Sequence, residues 1–149
     1  MKTPKLLAVA SEGGHWIQLM RLKPAFANAD VEYLSTNSAL STMAGSPIHV
    51  VADANLWTKW RMLVMFLQVA IVIYRVRPNV IITTGAAPGL AAIIIGRLVG
   101  ARTLWLDSIA NSEILSGSGQ QARRFAHVCL TQWPDLAEVD QVQYWGRVL

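Results

Sequence analysis

Lys5-Leu6-Leu7-Ala8-Val9-Ala10, running directly into Ser11-Glu12-Gly13-Gly14-His15, sets the reading of the whole chain. An uninterrupted apolar run of this kind is expected of a strand buried on both faces, as in parallel sheets. Two glycines then turn the chain, and His15 opens a helix carried by Trp16, Leu19, Met20 and Leu22. A strand that passes through a glycine turn into a helix presents free N–H groups and the positive end of the helix dipole in a backbone-lined concavity, which favours an anion. Glycine also lacks the Cβ that would hold a phosphate or sugar at a distance. His15 would titrate beside whatever binds there. The same turn also serves as a plain tight connection between strand and helix, so the rest of the chain has to discriminate.

Outward from this turn the pattern repeats. The first helix is expected from His15 to about Asn28, ended or kinked early by Pro24. Val31–Ser35 and Ile48–Val51 read as strands on either side of a polar loop, residues 36–47. Asn79–Thr83 is a fourth strand, followed by the small-residue turn Thr84-Gly85-Ala86-Ala87-Pro88-Gly89 and a helix over Leu90–Leu98, with Pro88 suited to the first helical position. Arg102–Leu106 is a fifth strand, succeeded by the loop Asp107–Glu113. A short helix passes through Arg123, Arg124 and Phe125, and His127–Thr131 is a sixth strand. A last helix starts at Trp133-Pro134-Asp135, and a short strand spans Val142–Trp145. This alternation predicts an α/β fold, a Rossmann-like doubly wound and mainly parallel sheet in one domain over residues 1–149. Such sheets bind ligands beyond the carboxyl ends of their strands. That edge is expected to gather Glu12, Gly13, Gly14 and His15; Thr84, Gly85, Ala86 and Ala87; Asp107, Asn111 and Glu113; and Gln132 with Trp133.

The segment Trp57–Tyr74 stands apart, because Met62–Tyr74 carries no charge and is apolar on every helical face. Its uncharged part is shorter than the roughly 20 residues of a spanning helix. Lys59 and Arg61 precede it, Arg75 and Arg77 follow it, and Trp57, Trp60 and Tyr74 stand where interfacial aromatics would. Shallow membrane insertion, burial inside a protein interface and a full span are the alternatives. The expectation is association with a membrane without crossing it, with Trp57, Trp60, Met65, Phe66, Ile73 and Tyr74 as contacts.

Composition narrows the class. Hydrophobic residues make up 53% of the 149 residues and charged ones only 15%, against about 25% charged in typical globular domains. Disorder is excluded. The net charge of +4 is dispersed, so nucleic-acid binding is a minor reading and an anionic membrane or phosphorylated substrate accounts for the excess equally well. The single cysteine, Cys129, allows no internal disulfide and no cysteine zinc cluster. No signal peptide is read at the N-terminus.

Gly13-Gly14-His15 after the first strand and Thr83-Thr84-Gly85-Ala86-Ala87-Pro88-Gly89 after the fourth, together with Thr131-Gln132-Trp133-Pro134 and Tyr144-Trp145-Gly146, resemble the acceptor-side half of two-component GT-B glycosyltransferases. The resemblance extends over nearly the whole chain. It is nearest to the membrane-anchoring subunit of the N-acetylglucosaminyltransferase that adds the second sugar to dolichol-linked oligosaccharides. The bacterial relatives are glucuronosyl- and galactosyltransferase subunits of exopolysaccharide and capsule assembly. The single-chain peptidoglycan N-acetylglucosaminyltransferase shares the two glycine turns more distantly. Two departures stand out: the eukaryotic subunit's extra N-terminal membrane helix has no counterpart, and Asp107 stands where the family often has glutamate.

The resemblance implies the N-terminal half of a GT-B fold and an inverting, metal-independent hexosyltransferase with no cofactor. It further implies a donor-binding subunit on a separate chain, a UDP-sugar at the shared interface and a polyprenyl-diphosphate-linked acceptor. The expected location is the cytoplasmic face of a bacterial inner membrane, peripheral or monotopic. His15 is the candidate general base, since an ordinary histidine titrates near 6.5, or it only hydrogen-bonds the loop. Asp107, Glu12 and Glu113 compete for the role. Gly13, Gly14, Gly85, Ala86 and Ala87 would offer backbone N–H groups to a diphosphate or sugar, or merely permit close packing. His49 and His127 read as structural. Two rival classes remain open, a non-catalytic membrane adaptor and a dinucleotide-binding oxidoreductase. The second lacks the G-x-G-x-x-G fingerprint, and Glu32 is a weak ribose-binding candidate.

Overall fold

Strands and helices alternate along the whole chain in this computed structural model, which describes residues 2–55, 57–140 and 142–148. The strands are β1 (Lys5–Val9), β2 (Asp30–Ser35), β3 (Ile48–Val50), β4 (Val80–Thr83), β5 (Arg102–Leu106), β6 (Val128–Thr131) and β7 (Gln143–Tyr144). The helices between them are α1 (Gly14–Arg21), α2 (Ser41–Ala44), α3 (Lys59–Val76), α4 (Ala86–Leu98), α5 (Gly117–Ala122) and α6 (Pro134–Asp140). They build one sheet in the order β3-β2-β1-β4-β5-β6-β7, and every pairing is parallel. Strand order reverses between β1 and β4, where Leu6 faces both Val31 and Val80 and Val9 faces both Leu34 and Thr83. That junction is the switch point of a doubly wound sheet, as the alternation predicts.

The apolar run of β1 is buried on both sides because each face meets its own helices. Leu7 and Val9 pack with Met65, Val69 and Ile73 of α3 and Ala91 and Ala92 of α4. Leu6 and Ala8, with Ala10 just beyond the strand, pack with Trp16 and Leu19 of α1, Phe26 and Tyr33. Trp16 and Tyr33 meet edge to face at 5.8 Å. Ile93 of α4 extends the first face toward Trp105, Leu115 and Ala122. Helices α1 and α4 therefore leave adjacent strands on opposite sides of the sheet, and both begin at its carboxyl edge.

Several boundaries differ from expectation for identifiable reasons. Helix α1 stops at Arg21, and Pro24, which has no N–H to continue it, sits in a 3-10 turn over Lys23–Phe26. The polar loop is partly helical. Asn37 Oδ1 accepts from Ala39 N at 2.9 Å to cap a 3-10 turn, and Gly45, at φ 72°, closes α2 in the left-handed region. Helix α4 begins at Ala86, so Pro88 is its third residue, still among the first four whose N–H groups need no helical partner.

The 18-residue α3 corrects part of the membrane expectation. Met65, Val69, Ile73 and Val76 form one helical stripe and are buried. Each such side chain contributes about 1.5–3 kcal/mol by leaving water. Phe66 is partly buried against the same cluster. Met65 and Ile73 are thus core residues and touch no bilayer. Trp57, Trp60 and Tyr74 are exposed, and so are Leu63, Leu67 and Ile71. Among the described residues no helix is long and apolar enough to cross a membrane. The mid-helix glutamine, Gln68, accepts from Ala52 N at 2.6 Å and fixes α3 to the segment leaving β3.

Candidate functional site

The two small-residue turns meet at the switch point. Gly13, at φ 79°, leads into α1 and Gly85, at φ 133°, leads into α4; neither helix start is capped by a side chain. Thr84 ties them together. Its hydroxyl donates to the carbonyl oxygen of His15 at 2.6 Å, and its own carbonyl oxygen lies 3.0 Å from His15 Nδ1. A carbonyl oxygen only accepts, so the proton in the second bond sits on Nδ1, and the neutral ring keeps its lone pair on Nε2. The imidazole packs on the bare Cα of Gly85, where an added Cβ would stand 2.7 Å from Nδ1. Ala86 follows at φ 68°, a left-handed conformation that costs a non-glycine residue roughly 1–3 kcal/mol and clusters at functional turns.

His15 lines a cleft of about 590 Å³. Ala86, Ala87 and Leu90 from the start of α4 form one side, and Asn55 and Trp57 before α3 with Met62 of its first turn form another. The third side is Ser116-Gly117-Ser118 with Gln121, at the start of α5. Among the described lining residues His15 is the titratable one. Sequence reasoning missed the α5 side, although Ser116-Gly117-Ser118-Gly119 carried the signal of a serine cap before glycines. Ser116 Oγ accepts from Gly119 N at 2.9 Å. Among the described residues no group of three or more His, Cys, Asp or Glu side chains is placed to hold a metal.

The remaining site candidates lie elsewhere. Asp107, 2% exposed, accepts from Trp105 Nε1 at 3.0 Å, Asn111 Nδ2 at 3.2 Å, Ser116 N at 2.9 Å and Ser116 Oγ at 2.6 Å. Gly119 leaves it room, since a Cβ there would stand 2.5 Å from Oδ1. Buried Gln132 donates to Gln18 Oε1 at 2.6 Å and to the Asp107 carbonyl at 3.0 Å, and it accepts from Val148 N at 2.8 Å. Trp133 Nε1 donates to the Ile109 carbonyl at 2.8 Å, and Arg147 stacks on its ring at 4.4 Å. Asp107, Asn111, Gln132 and Trp133 therefore tie the rim loops to one another and are not among the residues that line the cleft. Glu12 is exposed and accepts from Asn37 Nδ2 at 2.9 Å, and Glu113 is exposed as well. Gly13 and Gly14 are also exposed, beside His15.

Solved structures share this architecture. MurG of Acinetobacter baumannii superposes with a TM-score of 0.72 over 89% of this chain and 42% of its own, at 16% identity. A UDP-N-acetylglucosamine 2-epimerase matches with a TM-score of 0.75 over 94% of this chain and 45% of its own, at 8% identity. A glycosyltransferase from Rickettsia africae ESF-5 matches at 0.65 over 99% and 44%, at 11% identity. The fold is the N-terminal half of GT-B. The chain spans less than half the length of each of these proteins, and at such identities the likeness is one of fold. No protein-family model and no curated protein matches the sequence. In this GT-B half, the His15 cleft occupies the switch-point edge where doubly wound sheets bind ligands.

Proposed function

We propose that this chain is the acceptor-binding, membrane-associated subunit of a glycosyltransferase that moves a sugar from a UDP-sugar to a polyprenyl-diphosphate-linked saccharide. In this reading it serves polysaccharide or oligosaccharide assembly at the cytoplasmic face of a bacterial inner membrane, and a separate donor-binding GT-B subunit completes the site. One observation carries it. His15, with Nε2 free of its structural bond, stands between two uncapped helix starts in a cleft whose apolar wall, Trp57 and Met62, leads into α3. The outer face of α3 presents Trp60, Leu63, Leu67, Ile71 and Tyr74.

The chemistry follows from those parts. Backbone N–H groups at the starts of α1 and α4 receive the acceptor's diphosphate, and the apolar wall receives the first isoprene units. His15 Nε2 takes the proton of the acceptor hydroxyl as its oxygen bonds the anomeric carbon. The bond from that carbon to UDP breaks, and UDP leaves with the electron pair. The outer face of α3 and its flanking cations lie on the bilayer.

The test is transfer by the reconstituted pair of chains. His15→Ala is expected to lower turnover by about 10²-fold or more, the usual scale for a lost general base, and this chain without its partner should transfer nothing. Undiminished turnover in His15→Ala would leave the non-catalytic membrane adaptor as the better reading.

A further inference from the structure

We propose that the Thr84-Gly85 turn is the positioning element of His15, holding its ring as the Nδ1–H tautomer so that Nε2 is the atom presented to the acceptor hydroxyl. The proposal rests on the reading of His15 as the proton acceptor and adds how the fold prepares it.

Three contacts converge on one ring. The Thr84 carbonyl accepts from Nδ1 at 3.0 Å, which places the proton on the nitrogen that faces Thr84 and leaves Nε2 bare. The Thr84 hydroxyl donates to the His15 carbonyl at 2.6 Å, fixing the backbone from which the ring projects. Gly85 offers a flat surface where any Cβ would displace Nδ1. His15 and Thr84 are 69 residues apart, so local sequence does not set this geometry. Pairing of β1 with β4 sets it, continued by Thr84 N donating to the Val9 carbonyl at 3.4 Å. Thr84 itself is fully buried, so water does not compete for its hydroxyl.

The proton inventory closes. The substrate O–H bond breaks as Nε2 gains the proton, and the ring becomes an imidazolium that still donates from Nδ1 to Thr84. The Nε2 proton passes to water after product leaves. Nδ1 keeps its proton throughout, so the ring turns over without rotating.

Nitrogen-15 NMR of the histidine-labelled full chain, recorded well above neutrality, reads the tautomer directly. A protonated, pyrrole-type Nδ1 and a bare, pyridine-type Nε2 are expected for His15. Gly85→Ala should shift His15 out of that state. In the reconstituted enzyme Thr84→Val should lower kcat about tenfold or more with KM little changed, and Thr84→Ser should restore it. Misplacement of a catalytic group by about 1 Å can cost up to 10²-fold. A role confined to stability would lower the melting temperature while leaving the tautomer and the turnover of folded enzyme unchanged, and that result overturns the proposal. Should Thr84→Val fail to fold, the wild-type and Thr84→Ser spectra decide. An Nε2–H ring overturns the proposal even in an active enzyme. An Nδ1–H ring in a chain whose His15→Ala variant still transfers sugar overturns the reading of His15 as the proton acceptor instead.

Discussion

The carboxyl edge of the sheet holds two polar clusters that look alike in sequence and behave differently in space. Asp107, Asn111, Ser116, Gln18 and Gln132 bond to one another and to backbone, and the carboxylate alone accepts from four donors. His15 spends one ring nitrogen on Thr84 and lines an open cleft. The first cluster is saturated and braces the fold; the second keeps hydrogen-bonding capacity to spare, which suits it to the ligand-binding role proposed for it. A polar residue at the rim is thus a weak functional signal until its partners are known. Helix α3 repeats the contrast in apolar residues, with Met65 and Ile73 spent on the core and Leu63, Leu67 and Ile71 left over.

Asp107→Ala should have the largest effect on stability. It leaves four donors without their acceptor in a buried site, and urea unfolding should show about 3 kcal/mol or more of lost stability. His15→Ala should leave the same unfolding curve nearly in place. A stable Asp107→Ala chain whose enzyme is inactive would place that carboxylate in the chemistry and dissolve the contrast.

A smaller stability effect is expected on the outer face of α3. Replacing Leu63, Leu67 and Ile71 together by Glu should move the chain from the membrane pellet to the supernatant. Each exposed change should alter stability by no more than about 0.5 kcal/mol. Unchanged sedimentation would show that the leftover face meets protein and not lipid.

The smallest effect concerns His127, an exposed residue that, like His15, bonds through Nδ1. Its Nδ1 accepts from Thr103 N at 3.1 Å, and its own N–H donates to Thr103 Oγ1 at 3.1 Å. Desolvation, then the charges of Arg97 and Arg102, hold it below the ordinary histidine value of 6.5. Because the folded value is the lower one, the unfolded chain binds more protons between the two. The stability His127 contributes is therefore present above pH 6.5 and lost as pH falls through the folded value. Melting temperature recorded from pH 8 downward should fall less steeply in His127→Asn, whose amide oxygen accepts from Thr103 without titrating.

Much of the fold was legible in the sequence because burial on both faces writes itself as unbroken apolar runs: Leu6–Val9, Val80–Ile82 and Leu104–Leu106 all proved to lie in strands of the parallel sheet. The convergence of Gly13–His15 with Thr84–Ala87 was legible too, since parallel strands deliver every following turn to one edge. The division of labour inside that edge was not. Whether Asp107 faces a ligand or Ser116 depends on a contact nine residues away, and nothing in its own neighbourhood encodes that. Helix α3 hid its orientation for the opposite reason. With apolar residues on every face, periodicity could not mark Met65 as inner and Leu63 as outer. The short helix α2 was overlooked inside a polar loop, although Asn37 caps the 3-10 turn that leads into it and Gly45 closes it.

Strand β1 is an interior strand of the sheet, with β2 on one side and β4 on the other. Lys5 and Asn79, which bond across the foot of that second pairing, are 74 residues apart. A nascent chain can therefore join β1 to β2 early, while the other edge of β1 waits for β4 to be made. Throughout that interval α3 has been synthesised but lacks Ile81, Ala91 and Ala92, part of the cluster that buries Met65, Val69 and Ile73, and an unpaired strand edge stands beside a helix apolar all round. Those are the conditions under which chains associate wrongly. The order of synthesis thus makes the hand-over from α3 to β4 the most exposed moment in this protein's assembly.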